Sequence, residues 1–126
     1  MIHGMNHFTI TAEDRDKTLG FYCGLLGLKE GARPDLGFPG AWLYPHSGGA
    51  AVLHIYWDRP MPAQRTGVID HLAFTCSGLK AVKARFDQSG VKYDLRQQAG
   101  AGTWQLFSYD PNGAKVELDF DPSETL

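Results

Sequence analysis

The chain predicts an α+β fold built from two tandem βαβββ modules, and three observations carry that expectation. The two halves repeat an order of features: His7 and His71 are 64 residues apart, His54 in "VLHIY" and Glu117 in "KVELDF" are 63 apart, and Trp42 in "GAWLY" and Trp104 in "GTWQL" are 62 apart. Each half passes from a strand-like alternation to a helical period and then to hairpin-like runs. At 126 residues, with 43% hydrophobic and 21% charged, the chain can bury one substantial core. The modules are expected to form a curved mixed sheet with its helices outside, enclosing a cavity, in a single domain over residues 1–126.

In the first module, about residues 5–57, "NHFTIT" alternates and is β-branched, which predicts a strand. "EDRDKTLGFYCGLLGL" follows with acidic residues early and Leu19, Tyr22, Leu25 and Leu26 at helical spacing, so it predicts one amphipathic helix ended by Gly27. After the loop "RPDLGFPG", "AWLYP" and "AVLHIYW" flank the turn "HSGG" as two hairpin strands, with room for a shorter strand before them. Residues 58–67, "DRPMPAQRTG", have no period and read as a linker. The second module, about 68–120, repeats the plan. Its pieces are strand "DHLAFT", helix "GLKAVKARFDQSG", strands "VKYDLRQ" and "WQLFSYD", turn "PNG" and strand "AKVELDF".

Twelve basic residues among fourteen acidic ones, a formal charge of −2, provide no basic stripe for a phosphate backbone, so nucleic acid is not expected as a partner. No apolar run approaches the roughly 20 residues that span a bilayer, and no secretory leader pattern opens the chain, so no membrane partner and a cytoplasmic location are expected. Cys23 and Cys76 form no metal-binding cluster and are expected as free thiols.

Strand parity then places the polar groups. Side chains alternate faces along a strand, so His7 shares a face with Thr9 and Thr11, and His71 with Ala73 and Thr75. His54 opposes Leu53 and Ile55, and Glu117 opposes Val116 and Leu118. Three imidazoles and one carboxylate thus fall on faces away from the helices. Such a set suits one divalent transition metal: Fe, Mn, Zn or Ni. His3, near the terminus, and His46, in a glycine-rich turn, are read as non-functional, and Asp110 to Gly113 as a turn.

The duplication, the openings "NHFTI" and "DHLAF", the helix end "FYCGLLGL" and the finish "YDPNGAKVELDF" resemble the vicinal oxygen chelate (VOC) superfamily over residues 5 to 120. This superfamily is also called the glyoxalase, bleomycin-resistance and dioxygenase superfamily. The resemblance implies that His7, His71 and Glu117 are metal ligands and that His54 holds the fourth position. In glyoxalase-type lyases that position is usually Glu or Gln, and a carboxylate there serves proton transfer. With His54 instead, the second carboxylate of a two-base shuttle is missing from it. The resemblance therefore implies a metalloenzyme for a small molecule that chelates the ion through two adjacent oxygens, with Glu117 and His54 as catalytic residues. A ring-cleaving extradiol dioxygenase is preferred, because two His and one carboxylate form its usual ligand set. The alternatives are a glyoxalase-like lyase or isomerase, and a metal-free drug-binding protein of the bleomycin-resistance type.

For the substrate pocket, Trp42 and Tyr44 share parity near Arg33 and Phe38, and Tyr56 shares a face with His54. Trp104 joins them as the matched repeat position of Trp42, with a core or module-interface role as its alternative. Exposed sheet edges and duplicated modules predict a homodimer.

Overall fold

The computed structural model describes every residue from Met1 to Leu126 and divides the chain into two compact units, Met1–Ala63 and Gln64–Leu126. In the first, the alternating run yields β1, Phe8–Thr11. Asp14 then accepts a hydrogen bond from the Lys17 backbone N at 2.9 Å and caps α1, Arg15–Leu19. The single helix expected here does not form. The chain widens at Gly20 into a π-helical stretch, Gly20–Leu25, in which Leu26 N donates to Phe21 O. Glycines at 20 and 24 have no side chain to crowd the wider turn, and Thr18, Phe21, Tyr22 and Leu25 are buried by it. Gly27 closes the segment as expected, in the left-handed region at φ 84°.

Three strands follow: β2, Lys29–Gly31; β3, Gly40–Tyr44; and β4, Leu53–Tyr56. The sheet order is β1-β4-β3-β2, with β1 parallel to β4 and the other pairs antiparallel. Register stacks Ile10 with Ile55, Ile55 with Ala41, and Leu53 with Leu43, and these five apolar side chains form the buried face. The opposite face carries Thr9, His54, Trp42, Tyr44 and Tyr56.

The second unit has the same topology: β5, Leu72–Thr75; α2, Leu79–Ser89; β6, Tyr93–Gln97; β7, Trp104–Tyr109; and β8, Lys115–Phe120, in the order β5-β8-β7-β6. Leu72, Leu106, Val116, Leu118 and Phe120 are buried, as are Leu79 and Phe86 of α2. Gly78 begins α2 without a side chain to cap it, and the carboxylate of Glu124 supplies the cap by accepting from Gly78 N at 2.9 Å and Leu79 N at 2.7 Å. In the β7–β8 turn, Asp110 Oδ1 accepts from the backbone N of Asn112 and Ala114, and Gly113 takes φ 96°. Two mixed four-stranded sheets, each with its helical segment, make the fold α+β as the sequence predicts.

Candidate metal centre

In the first unit His54 is the centre of a three-ring stack. β4 pairs with both neighbours at this level, so Thr9 and Trp42 are its Cα partners. His7, one residue before β1, lays its ring on His54 at 3.7 Å and 14°, and Trp42 stacks on His54 at 4.2 Å and 12°. Nδ1 of His7 lies 2.6 Å from Oδ1 of Asn6. Because an amide oxygen only accepts, Nδ1 is the donor in this contact. Burial first, and then the charges of His7 and Arg33, hold His54 below the ordinary imidazole value, so the neutral ring is favoured.

The second unit repeats this with different chemistry. His71 precedes β5, and its Nδ1 lies 2.7 Å from Oδ1 of Asp70, the residue before it. Its Nε2 lies 2.6 Å from Oε2 of Glu117 on β8, so the two groups hold a proton between them. Glu117 is 4% exposed, and Gln105 Nε2 donates to its other oxygen. Burial, and then the Asp119 carboxylate two residues along the strand, push the Glu117 carboxyl above its usual range. Phe107 meets the His71 ring edge-on at 5.9 Å, and Arg96 and Lys115 lie against Phe107. Lys115 reaches Asp70 at 3.5 Å.

Other expected site residues fall in different places. Tyr56 meets Phe38 edge-on and carries Arg59 over its ring. The Tyr44 hydroxyl donates to the Ala32 carbonyl and ties the loop after β2 to β3. Trp104 lies on the face of Leu106, Leu118 and Phe120, opposite to Glu117, and its Nε1 donates to the Glu124 carbonyl at 2.9 Å. Nor is it the repeat partner of Trp42: Trp42 pairs with His54 and Phe107 with Glu117, so Phe107 holds the equivalent position. The hairpin joining β7 and β8 is shorter than that joining β3 and β4, which shifts the true offset away from the one read from the two tryptophans. His3 and His46 are exposed, His46 in the turn after β3, and both cysteines are free thiols.

Asn6 and Asp70 escape motif reading although each directly precedes a matched histidine. Gln105 and Phe107 become neighbours of Glu117 only through strand register, whereas Asp119 shares its face two residues along β8. Neither unit by itself gathers three His, Cys, Asp or Glu side chains able to hold an ion. The donors stand as two pairs, His7 with His54 and His71 with Glu117. The second pair has the right donors, and a second carboxylate grips Nδ1, the support that metal-bound histidines ordinarily have, but at 2.6 Å Nε2 and the Glu117 oxygen share a proton and must part and lose it to share an ion. The first pair has the right donors, but the in-plane lone pairs of parallel rings do not converge, so one ring must turn about its side-chain torsions to share an ion with the other.

A family model described as the Glyoxalase/Bleomycin resistance protein/Dioxygenase superfamily matches residues 4–118, and the chain belongs to this family. It is 29% identical over 120 residues to Glyoxylase I 4 of Arabidopsis thaliana, covering 90% of this chain and 68% of that protein. Among solved structures, a glyoxalase family protein from Enterococcus faecalis superposes with a TM-score of 0.66 at 26% identity, covering 93% of this chain and 97% of that one. The fosfomycin resistance protein FosX from Listeria monocytogenes superposes with a TM-score of 0.73 at 20% identity, covering 94% and 92%. The second of these likenesses is one of fold. The comparisons lend no support to the dioxygenase preference drawn from the sequence. No helix is long and apolar enough to cross a membrane.

Proposed function

We propose that the protein is a divalent-metal-dependent, glyoxalase-like lyase or isomerase for a small molecule that presents two adjacent oxygens. His7, His54, His71 and Glu117 would be the ligands, whether one chain or two copies supply them. The observation that carries the reading is the matched pair of clamped histidines, Asn6 on His7 and Asp70 on His71, at the leading ends of β1 and β5. A bound ion would supply Lewis acidity, favouring the anionic form of a substrate that carries two adjacent oxygens.

The chain's own residues suit proton transfer. Glu117 is buried, and burial and the Asp119 carboxylate raise its carboxyl above the usual range, which makes it a stronger proton acceptor than an exposed carboxylate. Gln105 fixes one of its oxygens, and the other exchanges a proton with His71 Nε2. Asp119 also stands where a second carboxylate was not expected, on the same strand as the first, and this favours proton transfer over oxygen chemistry. His54, kept neutral, serves as a second acid/base group. Two free thiols accord with a reducing, cytoplasmic setting, and the free edges at β1 and β5 accord with a homodimer.

Two measurements test the reading. Titration of the metal-free protein with Zn, Ni, Mn and Fe(II) should give one bound ion per chain and a rise in unfolding temperature. His71→Ala and Glu117→Ala should abolish both effects, and Asp70→Asn should weaken binding by about 10- to 100-fold. The loaded protein should turn over a hemithioacetal and should consume no oxygen with catechols. Oxygen uptake without hemithioacetal turnover restores the dioxygenase reading, and failure of every ion to bind leaves a metal-free binding protein.

A further inference from the structure

A second group of side chains shares the His54 face of the first sheet and has no part in holding an ion. Gly40 is the Cα partner of Tyr56, and Trp42 is that of His54, so the missing side chain of Gly40 would point to the face that carries His54. The space is filled by Arg33: a Cβ on Gly40 would lie 2.7 Å from its Nη2 and 2.9 Å from its Cζ. The same guanidinium lies 5.0 Å from the centre of the Phe38 ring. Arg59 lies 4.9 Å from that ring and 3.9 Å from the ring of Tyr56. Phe38 and Tyr56 meet edge-on at 5.5 Å, so two aromatic rings hold two guanidinium groups together.

Neither arginine has a carboxylate partner. The neighbouring acids are committed elsewhere: Asp58 pairs with Arg15 at 2.8 Å, and Asp35 accepts from Gly37 N at 3.0 Å. Stacking on an aromatic ring engages the flat face of a guanidinium and leaves the N–H donors around its edge free. Those donors form the fork that matches a carboxylate or phosphoryl group with two parallel hydrogen bonds. Tyr44 restrains the loop that carries Arg33 through its bond to the Ala32 carbonyl. The pair is therefore held by rings and loop anchors and keeps its charge and its donors for something else.

We propose that Arg33 and Arg59 form an anion subsite, which binds a carboxylate or phosphoryl-type group carried by the substrate apart from its two adjacent oxygens. The inference deepens the proposed function by naming a substrate class, and it rests on that reading only for what the anion belongs to. Binding of the anion needs no metal.

The test uses the full chain in EDTA. Inorganic phosphate and acetate are titrated separately by calorimetry, against sodium chloride at matched ionic strength. Wild type should bind at least one of them with heat above the chloride control. A preference for phosphate or for acetate identifies the phosphoryl or the carboxylate class. Arg33→Gln and Arg59→Gln should each weaken binding by about tenfold or more, the effect of losing a charge-assisted hydrogen bond. Phe38→Leu, which keeps both charges but removes the shared ring, should also weaken it, and this separates a built site from general positive charge. A circular dichroism spectrum and a cooperative thermal unfolding transition like those of wild type show that each variant is folded. Equal affinity in wild type and in the double arginine variant overturns the proposal, as does the absence of any heat above chloride in wild type. A failure of metal binding in wild type together with intact phosphate binding would sink the metalloenzyme reading and leave the anion subsite standing.

Discussion

His54 lies between two rings, near one cation, and is neutral by environment; its titration makes that visible. Its folded value is below the ordinary 6.5, so it adds stability above the unfolded value, and that stability is lost as pH falls through the folded one. Lowering the pH of metal-free protein from about 7 to about 5 should therefore reduce the unfolding temperature more in wild type than in His54→Gln. Arg33→Gln removes one of the charges responsible and should move the His54 ring-proton titration, followed by NMR, back toward 6.5. An unchanged midpoint would show that Arg33 does not act on the ring. Cys76 has an opposite balance. Burial, then the Asp119 and Glu124 carboxylates, push its thiol up to about 11, which makes it a packing residue and not a nucleophile.

At the scale of elements, α2 depends on a residue 45 positions away from the backbone N–H that it serves. Local sequence does not reveal this cap, because Gly78 occupies the position where Ser, Thr, Asp or Asn would announce a helix start. Replacing Glu124 by Ala should cost about 1 kcal/mol and up to about 2, since it removes both the acceptor and the negative charge at the helix start. Urea denaturation should show this as a lower midpoint with an unchanged slope, and Glu124→Gln should lose less. The first helical segment has the reverse lesson. Its apolar spacing was legible, and so was its stop at Gly27, but the change to a π-helical path was not. That path depends on which of Phe21, Tyr22 and Leu25 the sheet accepts, and spacing alone does not state it.

At the scale of the whole molecule, the duplication extends beyond the matched histidines. Met5 and Ile69 sit 64 residues apart, each two residues before a matched histidine, and they are 83% and 65% exposed. Each leads into an edge strand, β1 or β5. A surface of this kind fits the proposed homodimer, for which sedimentation equilibrium should return twice the mass of one chain. Met5→Lys with Ile69→Lys should shift the mass toward that of a single chain. A single-chain mass for wild type across micromolar concentrations rejects the dimer.

The sequence by itself determined the βαβββ repeat and the strand faces on which its polar residues lie. Hydrophobic alternation and side-chain parity are local properties, and His7, His54, His71 and Glu117 lie where parity puts them. It did not single out Asn6 and Asp70, whose contacts with His7 and His71 the structure shows. Tertiary structure alone decided which strands lie side by side and in what register. Register set Trp42 against His54 and Phe107 against Glu117, moved Trp104 to the other face, and brought Gln105 beside the buried carboxylate. The physical reason is that hairpin length fixes cross-strand partners, and the two hairpins differ in length while their strands remain alike.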